Sequence, residues 1–195
     1  AWIKRTGDKG DFARAFVLDK IMLERAISHK PKNAVDIGCG EGRFCRMLAQ
    51  NDVAATGVDP VLPMIEEARG CHPSGEYVMG YAEQLDFPDS SFDLVVSYLA
   101  LIDIDDVVSA ISEMTRVVRP GGHILVANLT AFSTSSAPHG KKRCRDTGEA
   151  FRPLGNYLTP RRDWFEWDGV PPAEEFAVLM KEALLAIDQW ISSQF

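Results

Sequence analysis

Short apolar runs alternate with amphipathic stretches along the first two thirds of the chain. The apolar runs predict five strands, at residues 33–37, 53–58, 76–79, 92–97 and 123–129. The stretches between them repeat apolar residues at helical spacing and predict helices at 11–29, 43–50, 62–69 and from 105 or 106 to 118. Strands that alternate with helices in this way predict an α/β fold with right-handed crossovers and a doubly wound, mostly parallel sheet.

The pattern is less regular beyond residue 129. Residues 131–148 are rich in Ser, Thr, Gly and Lys, which predicts a long loop. Aromatic residues in 151–167 predict a short hairpin with 164–167 as its second strand. Such a hairpin serves either as a lid over a ligand or as ordinary packing. Apolar residues at helical spacing over 171–195 predict a last helix.

Composition narrows the class of protein. The chain has 195 residues, of which 46% are apolar and 25% charged, as in ordinary globular proteins. No apolar run approaches the roughly 20 residues of a membrane span. The net charge of −7 argues against nucleic acid as a partner, although a basic cluster at 141–145 is either a solvated loop or a substrate contact. The four cysteines lack metal-binding spacing, so we expect reduced thiols, a cytoplasmic location and no metal site.

A glycine-rich loop follows the first strand and precedes a helix, with glycines at Gly38, Gly40 and Gly42. Glycines at such a turn let a nucleotide lie against bare backbone. The spacing differs from the Gly-x-Gly-x-x-Gly of NAD-binding proteins, and Asp36 and Glu41 flank the turn. These acids repel a pyrophosphate but attract the ammonium and sulfonium of S-adenosylmethionine (SAM). The loop therefore favours SAM over a dinucleotide.

Four further residues extend the predicted cofactor site. Cys39 lies inside the glycine loop and is either a small filler or a reactive thiol. Asp59 ends the second strand, where a carboxylate can accept hydrogen bonds from both ribose hydroxyls. It is equally suited to begin the next helix, and the two roles are compatible. Pro60 and Val61 follow it and offer an apolar edge to the adenine.

Four segments, taken in order, resemble the motifs of one enzyme family. They are Val35-Asp36-Ile37-Gly38-Cys39-Gly40-Glu41-Gly42-Arg43-Phe44, Gly80-Tyr81-Ala82-Glu83-Gln84-Leu85-Asp86-Phe87, Ser91-Phe92-Asp93-Leu94-Val95-Val96 and Val118-Arg119-Pro120-Gly121-Gly122. The chain thus resembles the class I SAM-dependent methyltransferases, in particular the subgroup of ubiquinone and menaquinone biosynthesis. The resemblance implies a Rossmann-like fold, SAM as cofactor and methyl transfer to a small-molecule acceptor by in-line attack on the sulfonium methyl.

The resemblance also implies where the adenine lies. Family members often have an acid after the glycine that ends the third strand, and this chain has Tyr81 there. Adenine contact is therefore expected from the backbone at Ala82 and Glu83. The Glu83 side chain either substitutes for the missing acid or is a charge at the start of a helix. In the family an N-terminal segment packs beside the cofactor, so Arg14 either approaches the SAM carboxylate or makes a surface ion pair.

The acceptor side of the site is predicted from the end of the fourth strand. Ligands of open α/β sheets bind beyond the carboxyl ends of the strands, so Ser97 and Tyr98 should line the floor of the site. Many relatives have histidine where this chain has Ile102 and Asp103, which argues against a histidine proton relay. If the acceptor must lose a proton, the candidate bases are Asp103, Tyr98 and His139.

The whole chain is expected to form one domain. It comprises an N-terminal helical segment (1–32), a SAM-binding core (33–129), a loop or lid (130–170) and a C-terminal helix (171–195). The family normally completes its sheet with two more strands, which the sequence does not show, so the C-terminal end is atypical. The last helix then covers the sheet edge or joins a homodimer. Two other functions stay open: a non-catalytic module that binds SAM or oligomerises, and an NAD(P)-dependent oxidoreductase.

Overall fold

A computed structural model describes residues 14–129 and the backbone of four short strands further along the chain. A π-helical turn, Arg14–Leu18, leads into the first α-helix. The α-helices are α1 (Asp19–Ser28), α2 (Arg43–Ala49), α3 (Leu62–Cys71) and α4 (Val107–Val117), with a 3-10 turn at Leu101–Asp103. The strands are β1 (Asn33–Ile37), β2 (Ala54–Asp59), β3 (Glu76–Met79), β4 (Phe92–Tyr98), β5 (Val118–Ala127), β6 (Lys142–Arg143), β7 (Ala150–Phe151), β8 (Arg162–Phe165) and β9 (Phe176–Leu179).

The first five strands form one parallel sheet in the order β3-β2-β1-β4-β5. This order confirms the predicted doubly wound α/β fold, in which the chain runs outward from β1 to one edge and then to the other. Because every strand points the same way, the carboxyl ends of β1, β2, β3 and β4 meet at one edge of the sheet. The loops that leave this edge build the site described below.

Both faces of the sheet are covered by helices, as the apolar strands require. Val35, Val95 and Met114 belong to a buried cluster on the face that α4 covers. Leu48 and Val96 belong to the cluster on the opposite face, beneath α1 and α2. Neighbouring positions of β1 and β4 alternate between these two clusters, as at Ala34 and Val35 and at Leu94, Val95 and Val96, which fixes the register of these strands.

The fifth strand begins earlier than its sequence indicates. The Arg-Pro-Gly-Gly segment was expected to separate α4 from a strand at 123–129, but β5 starts at Val118, directly after the helix. The pairing with β4 shifts register between Phe92 and Leu94, and Gly121 takes a φ of +77°. An irregularity in the pairing therefore accommodates a proline and a glycine that a regular ladder would exclude.

The predicted C-terminal helix is contradicted at residues 176–179. These residues form β9, which pairs antiparallel with β8. The predicted second strand of the hairpin overlaps β8, in which Trp164 and Phe165 face Ala177 and Phe176. Its predicted first strand, at 157–158, lies outside the described residues. A four-residue apolar run fits a helix or a strand, and only a partner strand decides between them. The remainder of 171–195 lies outside the described residues, so the homodimer stays a prediction.

Candidate active site

The glycine loop lies against β2 and leaves its own backbone open. The Gly38 and Cys39 N–H groups donate to the carbonyl of Val58, at 2.8 and 3.0 Å. Gly38 has a φ of +74°, and a Cβ there would lie 2.3 Å from the Cβ of Ala100. At Gly40, φ is +55° and nothing lies within 4 Å of the position of a Cβ. The loop is thus tightly packed at its first glycine and open at its second, where a ligand can approach the backbone.

Asp59 joins the glycine loop to the start of α3. Its Oδ2 accepts the Gly40 N–H at 2.9 Å, and its Oδ1 accepts the Val61 N–H at 2.9 Å. Burial raises the pKa of Asp59, and these two hydrogen bonds oppose the rise. A carboxylate has about four acceptor positions, so each oxygen keeps one for a ligand. Pro60 and Val61 follow with exposed side chains, as expected for an apolar edge beside that ligand.

Asp36 is the most deeply buried acid of the site, with 2% of its surface exposed. Its Oδ2 accepts a weak hydrogen bond from the Cys45 thiol at 3.7 Å, whereas its Oδ1 has no partner among the described residues. Burial raises the pKa of Asp36 to about 7. The Cys45 contact opposes this rise, and the charges of Asp59 and Glu41 add to it. Asp36 therefore holds a polar oxygen for which the described residues supply no donor.

The loop is less negative than its sequence indicates. The Glu41 carboxylate accepts a hydrogen bond from Arg46 at 2.7 Å, so its charge is paired within the protein. Asp36 carries only part of a negative charge near pH 7. The electrostatic preference of the loop for a cationic over an anionic ligand is consequently smaller than it would be with two unpaired carboxylates.

Cys39 is buried in the glycine loop. It is 9% exposed, and its Sγ lies 3.5 Å from the carbonyl oxygen of Gly40. The thiol also interacts with that of Cys45, and this hydrogen bond, together with burial, raises the pKa of Cys45 well above its usual value. Both cysteines are free thiols. Thiols that stay protonated and buried react slowly, which favours the filler role.

Ser97 and Tyr98, the two predicted site residues at the end of β4, have different surroundings. Ser97 is fully buried, and its Oγ has no partner among the described residues. The Tyr98 hydroxyl donates to Asp19 Oδ1 at 2.9 Å, and its ring packs edge-on against Phe44. Burial and the hydrogen bond to Asp19 raise the pKa of Tyr98. The phenol is thus committed to the protein interior, which argues against its use as a base.

Asp19 forms an anchor that sequence reasoning missed. It is buried on α1 and accepts hydrogen bonds from both terminal nitrogens of Arg43, the first residue of α2. Burial opposes its ionisation, but the contacts with Arg43 and Tyr98 outweigh this effect and hold its pKa below the usual value. The sequence does carry a signal for this anchor. Asp19 lies at helical spacing from Met22 and Ala26, so the three residues share one buried face of α1. A carboxylate on such a face requires a partner.

Asp103 and Arg14 lie close enough for their charges to interact. Asp103 is exposed in the 3-10 turn, yet the surrounding protein desolvates it and raises its pKa to about 6. The charge of Arg14 opposes this rise and that of Asp59 adds to it. The guanidinium carbon of Arg14 lies 5.7 Å from the centre of the Tyr98 ring. The third candidate base, His139, lies outside the described residues.

A cavity of about 440 Å³ opens where β2 and β3 end. It is lined by Val58, Val78 and most of the segment 79–87, including Glu83. Ala82 is 7% exposed beside it, and the Glu83 carboxylate accepts the Asp106 N–H at 3.5 Å. The cavity is mostly apolar, which is the usual character of a site for a planar base.

These features define the class of site as one for a nucleoside at the carboxyl edge of a doubly wound sheet. An open glycine backbone, a carboxylate with spare acceptor positions, an orphan buried oxygen and an apolar cavity fit the ribose, ammonium and adenine of SAM. The described residues contain no cluster that could hold a metal ion. Over the same residues, no helix is long and apolar enough to cross a membrane.

Comparison with known proteins identifies the family. Residues 35–126 match the family described as Methyltransferase domain. The malonyl-[acyl-carrier protein] O-methyltransferase of Serratia marcescens is 34% identical over 128 residues, which cover 64% of this chain and 50% of that protein. The demethylmenaquinone methyltransferase of Beutenbergia cavernae is 33% identical over 106 residues, covering 54% and 44% of the two chains.

A solved structure shows the same fold. The S-adenosylmethionine-dependent methyltransferase of Mesorhizobium loti superposes with a TM-score of 0.67, covering 86% of this chain and 79% of that one at 24% identity. Over residues 35–126 the chain matches the methyltransferase family, as the resemblance to class I SAM-dependent methyltransferases implies, and it spans about half the length of the curated relatives it matches. The predicted resemblance is confirmed, and the matches support neither the oxidoreductase nor the non-catalytic alternative.

Proposed function

We propose that this chain binds SAM at the carboxyl edge of its sheet and transfers the methyl group to a small-molecule acceptor. The contact pattern of Asp59 is the observation that carries the proposal. Its two oxygens hold the Gly40 and Val61 backbone and keep an acceptor position each for the ribose hydroxyls. Hydrogen bonds to an ionised acceptor are stronger than neutral ones, so this residue should dominate recognition of the ribose.

The remaining cofactor contacts follow from the described residues. The unpartnered Oδ1 of Asp36 would accept from the ammonium of SAM. The adenine would enter the cavity beside Ala82 and Glu83, with Val61 against its outer face. Arg14, whose charge opposes the rise in the pKa values of Asp36 and Asp103, would meet the carboxylate of SAM.

The protein's part in the reaction is alignment and proton removal. SAM, when bound, supplies a methyl group that is already strongly electrophilic. Holding an acceptor in line with it can lower the barrier by roughly 7–11 kcal/mol. Asp103 is the proposed base for an acceptor that must lose a proton, because it is open to solvent and its pKa is about 6. Tyr98 instead fixes the floor of the site through its bond to Asp19.

The two relatives reported above are named for different acceptors, an acyl-carrier-protein conjugate and a quinone precursor. We assign this chain to the small-molecule kind, as its sequence resemblance to the quinone subgroup implies. We also infer a cytoplasmic location, which the buried free thiols Cys39 and Cys45 support, since reduced cysteines are usual there.

Ligand binding followed by label transfer tests the proposal. Thermal shift and calorimetry should show binding of S-adenosylhomocysteine, the demethylated product, and no binding of NADH. Transfer of labelled methyl from SAM should then be measured with demethylated quinones, small amines and acids, and malonyl-carrier protein. Binding of NADH in place of S-adenosylhomocysteine would overturn the proposal. Transfer to the carrier protein alone would overturn the small-molecule assignment.

A further inference from the structure

One segment of the cavity wall depends on contacts with other elements for its conformation. Residues 80–91 connect β3 to β4, and apart from an isolated bridge between Tyr81 and Gln84 they contain no regular secondary structure. Part of this segment lines the cavity. Backbone groups there can present a defined surface to a ligand only if another element holds them in place.

Arg116 of α4 reaches across to this segment. Its Nη2 donates to the carbonyl of Leu85 at 2.9 Å, and its Nη1 donates to the carbonyl of Phe87 at 2.7 Å. Nη1 also pairs with the carboxylate of Asp89 at 2.7 Å. One guanidinium therefore binds the segment at three places, two of them on the backbone beside the cavity.

Glu113, one turn earlier on α4, completes the arrangement. Its Oε2 accepts the Leu85 N–H at 2.7 Å, and its two oxygens accept from Nε and Nη2 of Arg116 at 2.7 and 2.8 Å. The N–H and carbonyl of Leu85 are thus both held by side chains of α4. Arg116 and Glu113 are 30% and 19% exposed, whereas Asp89 is 77% exposed, so the backbone contacts are the better shielded ones.

We propose that Arg116 and Glu113 are positioning residues for cofactor binding, which hold the wall of the adenine cavity through the backbone of Leu85 and Phe87. Only a planar guanidinium offers enough donors in a fixed fork to bind both carbonyls and Glu113 at once. The inference rests on the proposed function, because it takes the cavity to hold the adenine. It predicts that loss of Arg116 weakens binding of the nucleoside itself.

A second arginine, close to Arg116 in the sequence, provides a matched control. Arg119 lies three residues further on and makes an ion pair with Asp93 at 2.9 Å. It is 55% exposed, and Asp93 lies on β4, outside the cavity. Arg119→Gln removes the same charge as Arg116→Gln without releasing the cavity wall.

Calorimetry on the full chain tests the inference with two ligands. S-adenosylhomocysteine is the complete demethylated product of the cofactor, whereas 5′-methylthioadenosine has the nucleoside without the amino-acid part. Arg116→Gln should weaken both by the same factor, about tenfold, which corresponds to the loss of one or two net hydrogen bonds. Arg119→Gln should leave both dissociation constants within about twofold of those of the unsubstituted chain, which is about the smallest change that calorimetry distinguishes.

The outcomes separate the two claims. If the unsubstituted chain binds neither ligand, the proposed function fails. If it binds both and Arg116→Gln changes neither, the positioning role fails. Equal losses in Arg116→Gln and Arg119→Gln would indicate general destabilisation and would also refute it. Should Arg116→Gln not unfold cooperatively, Arg116→Lys replaces it, and the same equal loss for the two ligands is required because an ammonium cannot reproduce the fork.

Discussion

The carboxylate of Asp59 binds the backbone N–H of Gly40 across 2.9 Å, which joins the end of the second strand to the middle of the glycine loop. The two residues are 19 positions apart, and their bond holds the loop at the glycine that has open space beside its backbone. Because the same oxygen can still accept a ribose hydroxyl, protein and ligand share one carboxylate. Loop conformation and cofactor affinity should therefore change together when this residue is altered.

Asp59→Asn should weaken binding of S-adenosylhomocysteine by about 1–3 kcal/mol, measured by calorimetry. The amide keeps the size of the side chain but loses the charge and one acceptor oxygen. Asp52→Asn is the matched control, because Asp52 is exposed and its φ of +60° is one that asparagine accepts readily. Unchanged affinity in Asp59→Asn would refute the assignment of this residue to the ribose.

Asp19→Asn should lower the free energy of unfolding by about 3 kcal/mol, because it leaves the charge of Arg43 without its partner in a mostly buried setting. Urea unfolding at pH 7 measures the change. The exposed pair of Lys20 and Glu24, at 3.8 Å, gives the control: Glu24→Gln should cost less than about 0.5 kcal/mol.

The destabilisation caused by Asp19→Asn should also depend on pH. The folded pKa of Asp19 is depressed, so its stabilising effect is fully present above the unfolded pKa and is lost as pH falls through the folded value. The difference between the two proteins should therefore shrink below about pH 4, the ordinary range of an aspartate. A difference that stays constant down to the acid transition would contradict the ion pair.

Asp36 should produce the opposite pH dependence. Its pKa is raised to about 7, so between about pH 4 and 7 the folded state holds a proton that the unfolded state has released. Stability then falls as pH rises through this window, by at most about 1.4 kcal/mol per pH unit, and levels off above it. Urea unfolding of Asp36→Asn from pH 5 to 8 should show a flatter profile. Parallel profiles would show that Asp36 is ionised throughout.

Asp103→Asn should remove a step from the pH dependence of methyl transfer. If Asp103 accepts the proton of the acceptor, kcat/KM at saturating SAM rises through about pH 6 as the carboxyl ionises. The variant should lose this rise and most of the rate above pH 6. Asp105→Asn, an exposed neighbour, serves as the control. A rise near pH 6 that persists in Asp103→Asn would assign the proton transfer elsewhere.

Local sequence patterns accounted for most of the fold. The predicted strand at 76–79 matches β3, and the second strand differs from β2 by one residue at each end. Runs of this kind are visible because a parallel strand buried on both faces must be apolar almost throughout. The pattern failed at 176–179, where a short apolar run became a strand through pairing with residues that the sequence does not mark as its partner.

The candidate site divides in the same way. The sequence alone determined its cofactor, because the glycine loop, Asp59 and the later motifs are short segments whose chemistry and order can be read along the chain. Only the tertiary structure decided that Tyr98 turns toward Asp19, that burial raises the pKa of Asp36, and that Arg116 reaches the wall of the cavity. These properties depend on burial and on contacts between residues up to 79 positions apart, which no local pattern specifies.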